Sequence, residues 1–110
     1  MQAHIQALDD MIVRTERSWA KFKEGTSHYT LQKNRLNALK IAKAILEDDV
    51  DAISKEQLQK AIAPIDSLLK KSEKAITKLS EDSWQYKMLA RNIAALQLVA
   101  PMIDEAAHWL

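Results

Sequence analysis

With 110 residues, 47% of them hydrophobic and 28% charged, the chain is long enough to bury a core without covalent staples and is expected to form one domain over residues 1–110. The absence of cysteine excludes a disulfide framework and thiolate chemistry, and the formal charge of +1 points to no class of partner by itself. One glycine and two prolines, against many Ala, Leu, Lys, Glu and Gln, favour helix throughout because breakers are scarce and good formers abundant.

The first predicted helix carries Met1, Ile5, Leu8, Ile12, Thr15, Trp19 and Phe22 in steps of four and three, the seam of a helix that packs along its length. Gly25 marks a stop, since glycine takes a left-handed backbone without penalty, and Thr26 or Ser27 is placed to cap the next helix. That second helix, from about Ser27 to Asp48, is expected to bury Leu31, Leu36, Ala38, Leu39, Ala42, Ile45 and Leu46. Asp48-Asp49-Val50-Asp51 ends it, and Ser54-Lys55-Glu56-Gln57 has the form of a capping box opening the third. The third helix repeats the seam with Leu58, Ile62, Ile65, Leu69, Ser72, Ile76 and Leu79; Asp82 or Ser83 caps the fourth, which runs to about His108. Pro64 and Pro101 each remove a backbone donor, predicting kinks or, at Pro64, a separate short helix before it. Thr15 and Ser72 interrupt the two seams at one layer and are expected to bond back to the preceding turn.

Shifted by 57 residues, the chain lies on itself without a gap, so that residues 1–53 and 58–110 read as two copies of one helical hairpin. Nine pairs are identical, among them Asp9/Asp66, Tyr29/Tyr86 and Leu39/Leu96, and the substitutions between them keep physical type, as in Leu8/Ile65, Arg14/Lys71 and Thr26/Ser83. Agreement across two helices and a turn together implies tandem duplication. Short connections make neighbours antiparallel, so the expected fold is all-α, an up-down-up-down four-helix bundle. Tyr29 and Tyr86, just inside their helices, are expected to cover the hairpin turns, with each hydroxyl reaching a polar partner.

The two copies differ where solvent should be. Lys33, Asn37, Lys40, Lys43 and Ala44, much of the second helix's expected solvent face, become Ala90, Ala94, Gln97, Ala100 and Pro101 on the fourth. The fourth helix thus lacks solvating charge, and the face holding Ala90, Ala94, Gln97, Leu98 and Pro101 is the candidate protein interface, in a homodimer in the simplest case or with a foreign protein.

Folding up-down-up-down also sorts charge. Residues 14–39 and 70–97 hold 12 cations against 5 anions, and the remainder 4 against 10, so a nearly neutral chain becomes a polarised rod. Arg14, Arg17, Lys21, Lys71, Lys74 and Lys78 lie at the basic end with Trp19, Phe22, Tyr29, Trp84 and Tyr86. Cations beside rings suit an acidic protein or, as the lesser alternative, single-stranded nucleic acid.

Chemistry-bearing motifs are missing. His4, His28 and His108 have no metal-ligand spacing, Glu47, Asp48, Asp49 and Asp51 lack the glycine and distant glutamate of a calcium loop, and no nucleophile elbow, P-loop or dinucleotide fingerprint appears. The expectation is a non-enzyme with no metal, cofactor or small-molecule substrate. Without a leader-like N-terminus or an apolar run of about 18 residues it is also expected to be cytoplasmic with no membrane span. In length and architecture the chain is similar to the small helical-bundle immunity proteins of bacteriocin producers, a likeness of fold rather than of motif, which implies toxin neutralisation as an alternative role.

Overall fold

The computed structural model describes residues 2–109, which fold into four helices: α1 Gln2–Ala20, α2 Ser27–Leu46, α3 Lys55–Ile76 and α4 Trp84–Trp109. Met1, the first residue of the expected seam, and Leu110, the last of the second copy, lie outside them. The protein is all-α, with no strand among the described residues.

Local chemistry sets the helix starts. Thr26 adopts an extended backbone and its hydroxyl accepts the Tyr29 N–H, capping α2. Ser54 and Gln57 form the reciprocal capping box, the Ser54 hydroxyl accepting from Gln57 N–H at 3.1 Å and the Gln57 side chain accepting from Ser54 N–H at 2.8 Å. Of the two candidates before α4, Ser83 is the residue whose hydroxyl accepts the Tyr86 N–H, at 3.2 Å. After α2, Asp48 takes a left-handed φ of 59°, where a short polar side chain is tolerated and the chain turns out of the helix.

The two hairpin turns use the same bonds 57 residues apart. Thr26 donates its hydroxyl to Lys23 O at 2.7 Å, and Ser83 donates to Ser80 O at the same distance. Lys21 N–H to Ser18 O and Phe22 N–H to Trp19 O are matched by Lys78 to Ala75 and Leu79 to Ile76, all at 3.1 Å. Such matching is compatible with a duplicated hairpin. The turns differ in backbone at Gly25, which has φ of 90°, while the matching Asp82 stays out of the left-handed region and donates its N–H to Ser80 Oγ. Gly25 also lies beyond the stop, because α1 already ends at Ala20 and closes through the 3₁₀-type bonds just named.

The core is one cluster, and it fills only part of the length. Ala7, Leu8, Met11 and Ile12 of α1 meet Leu36, Ala38, Leu39, Ala42, Ile45 and Leu46 of α2, Leu58, Ala61 and Ile65 of α3, and Ala95, Leu96, Val99, Ile103 and Ala107 of α4. α2 and α4 touch across the diagonal, whereas α1 and α3 nowhere approach. Ala38, Ala42 and Ala95 on the central pair leave room for that approach, giving a rhombic section and overall dimensions of 42 × 35 × 20 Å.

Three expectations are corrected here. Leu31 is 41% exposed, because it lies a turn beyond the core toward the open hairpin end. Phe22, 37% exposed, leaves the seam because α1 has already ended; it stacks on His28 with centroids 5.4 Å apart. Pro64 does not start a new helix: α3 is continuous from Lys55 to Ile76. Pro64 removes the donor that the Lys60 carbonyl would otherwise receive, and both residues line an open groove. Thr15 does bond back, donating to Met11 O at 2.7 Å, and Ser72 is buried at the matching layer.

Candidate functional site

The fourth-helix residues expected to form an interface lie on one stripe of α4, spaced by three and four, and remain at the surface. Ala94, Gln97 and Pro101 are exposed; Ala90 and Leu98 are half-buried. Leu98 divides its side chain, part of it packing against the core. On α2 the matching Lys33, Asn37 and Lys40 are exposed, but Lys43 is not a solvent-face residue. It reaches back to α1, where its Nζ sits 2.8 Å from Asp9 Oδ1, and Asp9 holds the ammonium pKa above its usual value. The matching Ala100 is packed against the core, so Asp66, opposite Asp9 in the repeat, has no such lysine.

Where α1 borders α4, Asp10 accepts a hydrogen bond from Arg91 Nη2 and another from the Gln6 amide. This pair joins a residue expected at the acidic end to one expected at the basic end, and it ties the two hairpins together. Val13, 46% exposed, stands one turn beyond Asp10 on the same α1 stripe; the matching residue of α3 is Lys70. The Arg91 guanidinium, and the Gln6 amide after it, hold the Asp10 carboxyl below its ordinary value of 3.8.

A folded-state pKa below the unfolded one means that the unfolded chain binds the proton more readily. Asp10 therefore contributes stability that is complete above the ordinary aspartate range and is lost as pH falls through the lowered folded value. Both side chains are 40% exposed, so solvent screening limits the effect to under about 1 kcal/mol. Urea titrations at pH 5 and pH 2 are expected to show a smaller acid-induced loss in Asp10→Asn than in the parent; equal losses would mean that the pair contributes nothing measurable.

The six basic residues are divided between the two hairpins. Arg14 and Arg17 are exposed on α1 and Lys21 in the turn after it, and Lys71 and Lys74 on α3 and Lys78 in the turn after it are exposed at the matching positions. The backbones of α1 and α3 do not come close, so these are two stripes on separate helices. The aromatic residues near them are partly engaged with one another: Trp19 packs on Tyr29 at 5.3 Å and 40°, while Trp84 is 65% exposed.

A feature that sequence reasoning missed lies between α2 and α3. An open groove has two adjoining lobes, of about 560 and 400 Å³, that share Asn34 and Lys60. The larger is lined by Leu31, Asn34, Arg35, Lys60, Ala63, Pro64 and Ser67. The smaller adds Asn37, Lys40, Ile41, Ile53 and Gln57 over an alanine floor. Three cations and no carboxylate line the groove. Its signal in the sequence was a double exchange between copies, Asn34-Arg35 against Arg91-Asn92 and Asp10 against Ser67, which becomes meaningful only once the helices are paired.

No protein-family model, curated protein or solved structure matches the chain. Among the described residues, no group of three or more His, Asp or Glu stands close enough to hold a metal, and no helix is long and apolar enough to cross a membrane. The molecule is thus an all-α four-helix protein with two unlike inter-helix surfaces, an apolar one along α4 and a cationic groove between α2 and α3.

Proposed function

We propose that this protein is a protein-binding module that works by association through the α4 face, with a second copy of the chain as the first partner. The observation that carries this reading is the exchange of Lys33, Asn37 and Lys40 on α2 for Ala90, Ala94 and Gln97 at matching surface positions of α4. Water-facing positions on a helix normally carry charge; small apolar residues there lower the cost of desolvation and let another backbone approach closely. Val13 extends the same character onto the α1 stripe that borders α4, where α3 has Lys70. The Asp10–Arg91 pair neutralises two of the charges at this border, where Arg14 also acts on Asp10.

Sedimentation across a concentration series tests the reading. The parent protein is expected to form a dimer whose population rises with concentration, and Ala94→Glu to weaken it by about tenfold or more while helicity is unchanged, since a symmetric interface would bring the new charge against its own copy. A parent protein that stays monomeric throughout, with a mass indifferent to Ala94→Glu, would defeat self-association through this face.

A further inference from the structure

The groove between α2 and α3 differs from the α1/α4 pairing in how its arginine is met. In the α1/α4 pairing, Asp10 answers Arg91 at Nη2, although the Arg91 Nε stays buried without a partner. The matching residues, Asn34 on α2 and Ser67 on α3, also come together, as walls of the larger groove lobe. There the arginine has moved one residue along, to Arg35, and the carboxylate has been replaced by a serine hydroxyl.

Arg35 consequently forms no ion pair among the described residues, and its Nε and Nη2 are buried without a hydrogen-bond partner. These two nitrogens form the side-on fork of the guanidinium, the edge that receives a carboxylate through two parallel bonds. Donors withdrawn from water and left unanswered are costly, and the cost is relieved when the guanidinium turns into the lobe it lines and meets an acceptor. We infer that the α2/α3 groove binds an acidic, extended peptide segment of a protein partner, with one of its carboxylates taking at Arg35 the place that Asp10 holds at Arg91.

The rest of the groove suits that ligand. From Leu31 to Ala44 it follows about 20 Å of α2 at about 1.5 Å per residue, and it is open along its length, which favours a linear ligand over a small enclosed one. Arg35 lines the larger lobe and Lys40 the smaller, so a ligand that runs through both lobes passes both cations. Lys60 stands where the lobes meet; its ion pair with Glu56, both side chains about three-quarters exposed, is too well solvated to hold it back from another carboxylate. Asn34, Asn37 and Gln57 offer amides to a peptide backbone, while Leu31, Ile41 and Ile53 offer apolar contact. No aromatic ring lines the groove, so the stacking platform that single-stranded nucleic acid uses is missing from it.

The test titrates the full chain into three fluorescein-labelled probes: a peptide of alternating glutamate and alanine, the same peptide with glutamine for glutamate, and an oligothymidylate. The parent is expected to bind the acidic peptide and neither of the other two. Arg35→Gln is expected to weaken that binding by about tenfold or more. Ser67→Asp is expected to abolish it while raising the thermal midpoint, because the carboxylate is then supplied from within, and that rise is expected to vanish in Arg35→Gln/Ser67→Asp. No binding of the acidic peptide by a folded parent, binding indifferent to Arg35→Gln, or preference for the oligothymidylate would each overturn the inference. The stability arm reads the Arg35 environment even if a single variant folds poorly: equal midpoints for Ser67→Asp with and without Arg35 would overturn the assignment of Arg35 as the carboxylate receiver. Ala94→Glu should leave peptide binding unchanged, separating this site from the α4 face.

Discussion

Leu39→Ala is expected to lower the free energy of unfolding by about 2–5 kcal/mol, the range for deleting a buried leucine side chain from a close-packed core. Leu39 is fully buried, in the central helix α2, and truncation leaves a void that α2 and α4, already in close approach, can only partly collapse. For a chain of this size the thermal midpoint should fall by about 10 °C or more. Leu96 is also fully buried, at the matching position of α4, so Leu96→Ala should cost a similar amount. Leu31→Ala is the control: the same change, in the same helix, at a side chain 41% exposed, should cost under about 1 kcal/mol. Urea unfolding followed by circular dichroism measures all three, and equal costs for Leu31→Ala and Leu39→Ala would contradict the placement of the core.

The second large effect has the opposite sign. Pro64 and Pro101 lie inside continuous helices, where each deletes one main-chain hydrogen bond and crowds the preceding turn. Proline in a helix interior is worse than alanine by about 3 kcal/mol, offset in part because proline also restricts the unfolded chain. The first copy supplies an internal standard, since the matching residues Ala7 and Ala44 sit in unbroken helix. Pro64→Ala/Pro101→Ala is therefore expected to raise the free energy of unfolding by about 2–4 kcal/mol. Thermal and urea unfolding check it, and a loss of stability in the double variant would show that the proline rings contribute packing that the helices depend on.

Much of the fold was legible because its determinants are local. Ser54 and Gln57 announce a capping box by type and spacing, and the structure has both bonds; Thr26 and Ser83 announce caps in the same way. Leu8, Leu39, Ile65 and Leu96 follow helical periodicity into the core. Periodicity does not say how far along a helix the neighbours stay close, however, which is why Leu31 and Phe22 have the right spacing and the wrong burial. The charge sorting shows the same limit. Sequence assigns Asp10 and Arg91 to opposite ends, yet Asp10 stands at the middle of α1 and Arg91 two turns into α4, where a long guanidinium spans the division. Lys43 looked like a solvated lysine until α1 placed Asp9 against it. The groove was illegible for a related reason, since Arg35 and Ser67 share no motif and meet only when α2 lies on α3.

The matched hairpin turns carry a consequence for how this molecule can diversify. An assembly of two separate, identical hairpins would repeat every substitution on both sides of its axis, so a groove could not lose its aspartate without its twin losing it too. Here both hairpins belong to one polypeptide and each site mutates alone. Asp10 can remain as an internal brace at one seam while position 67 becomes serine at the other, and lysines can leave α4 while α2 keeps them. Covalent linkage of the halves thus allows the two seams to differ in charge and polarity while the core residues that they share stay alike.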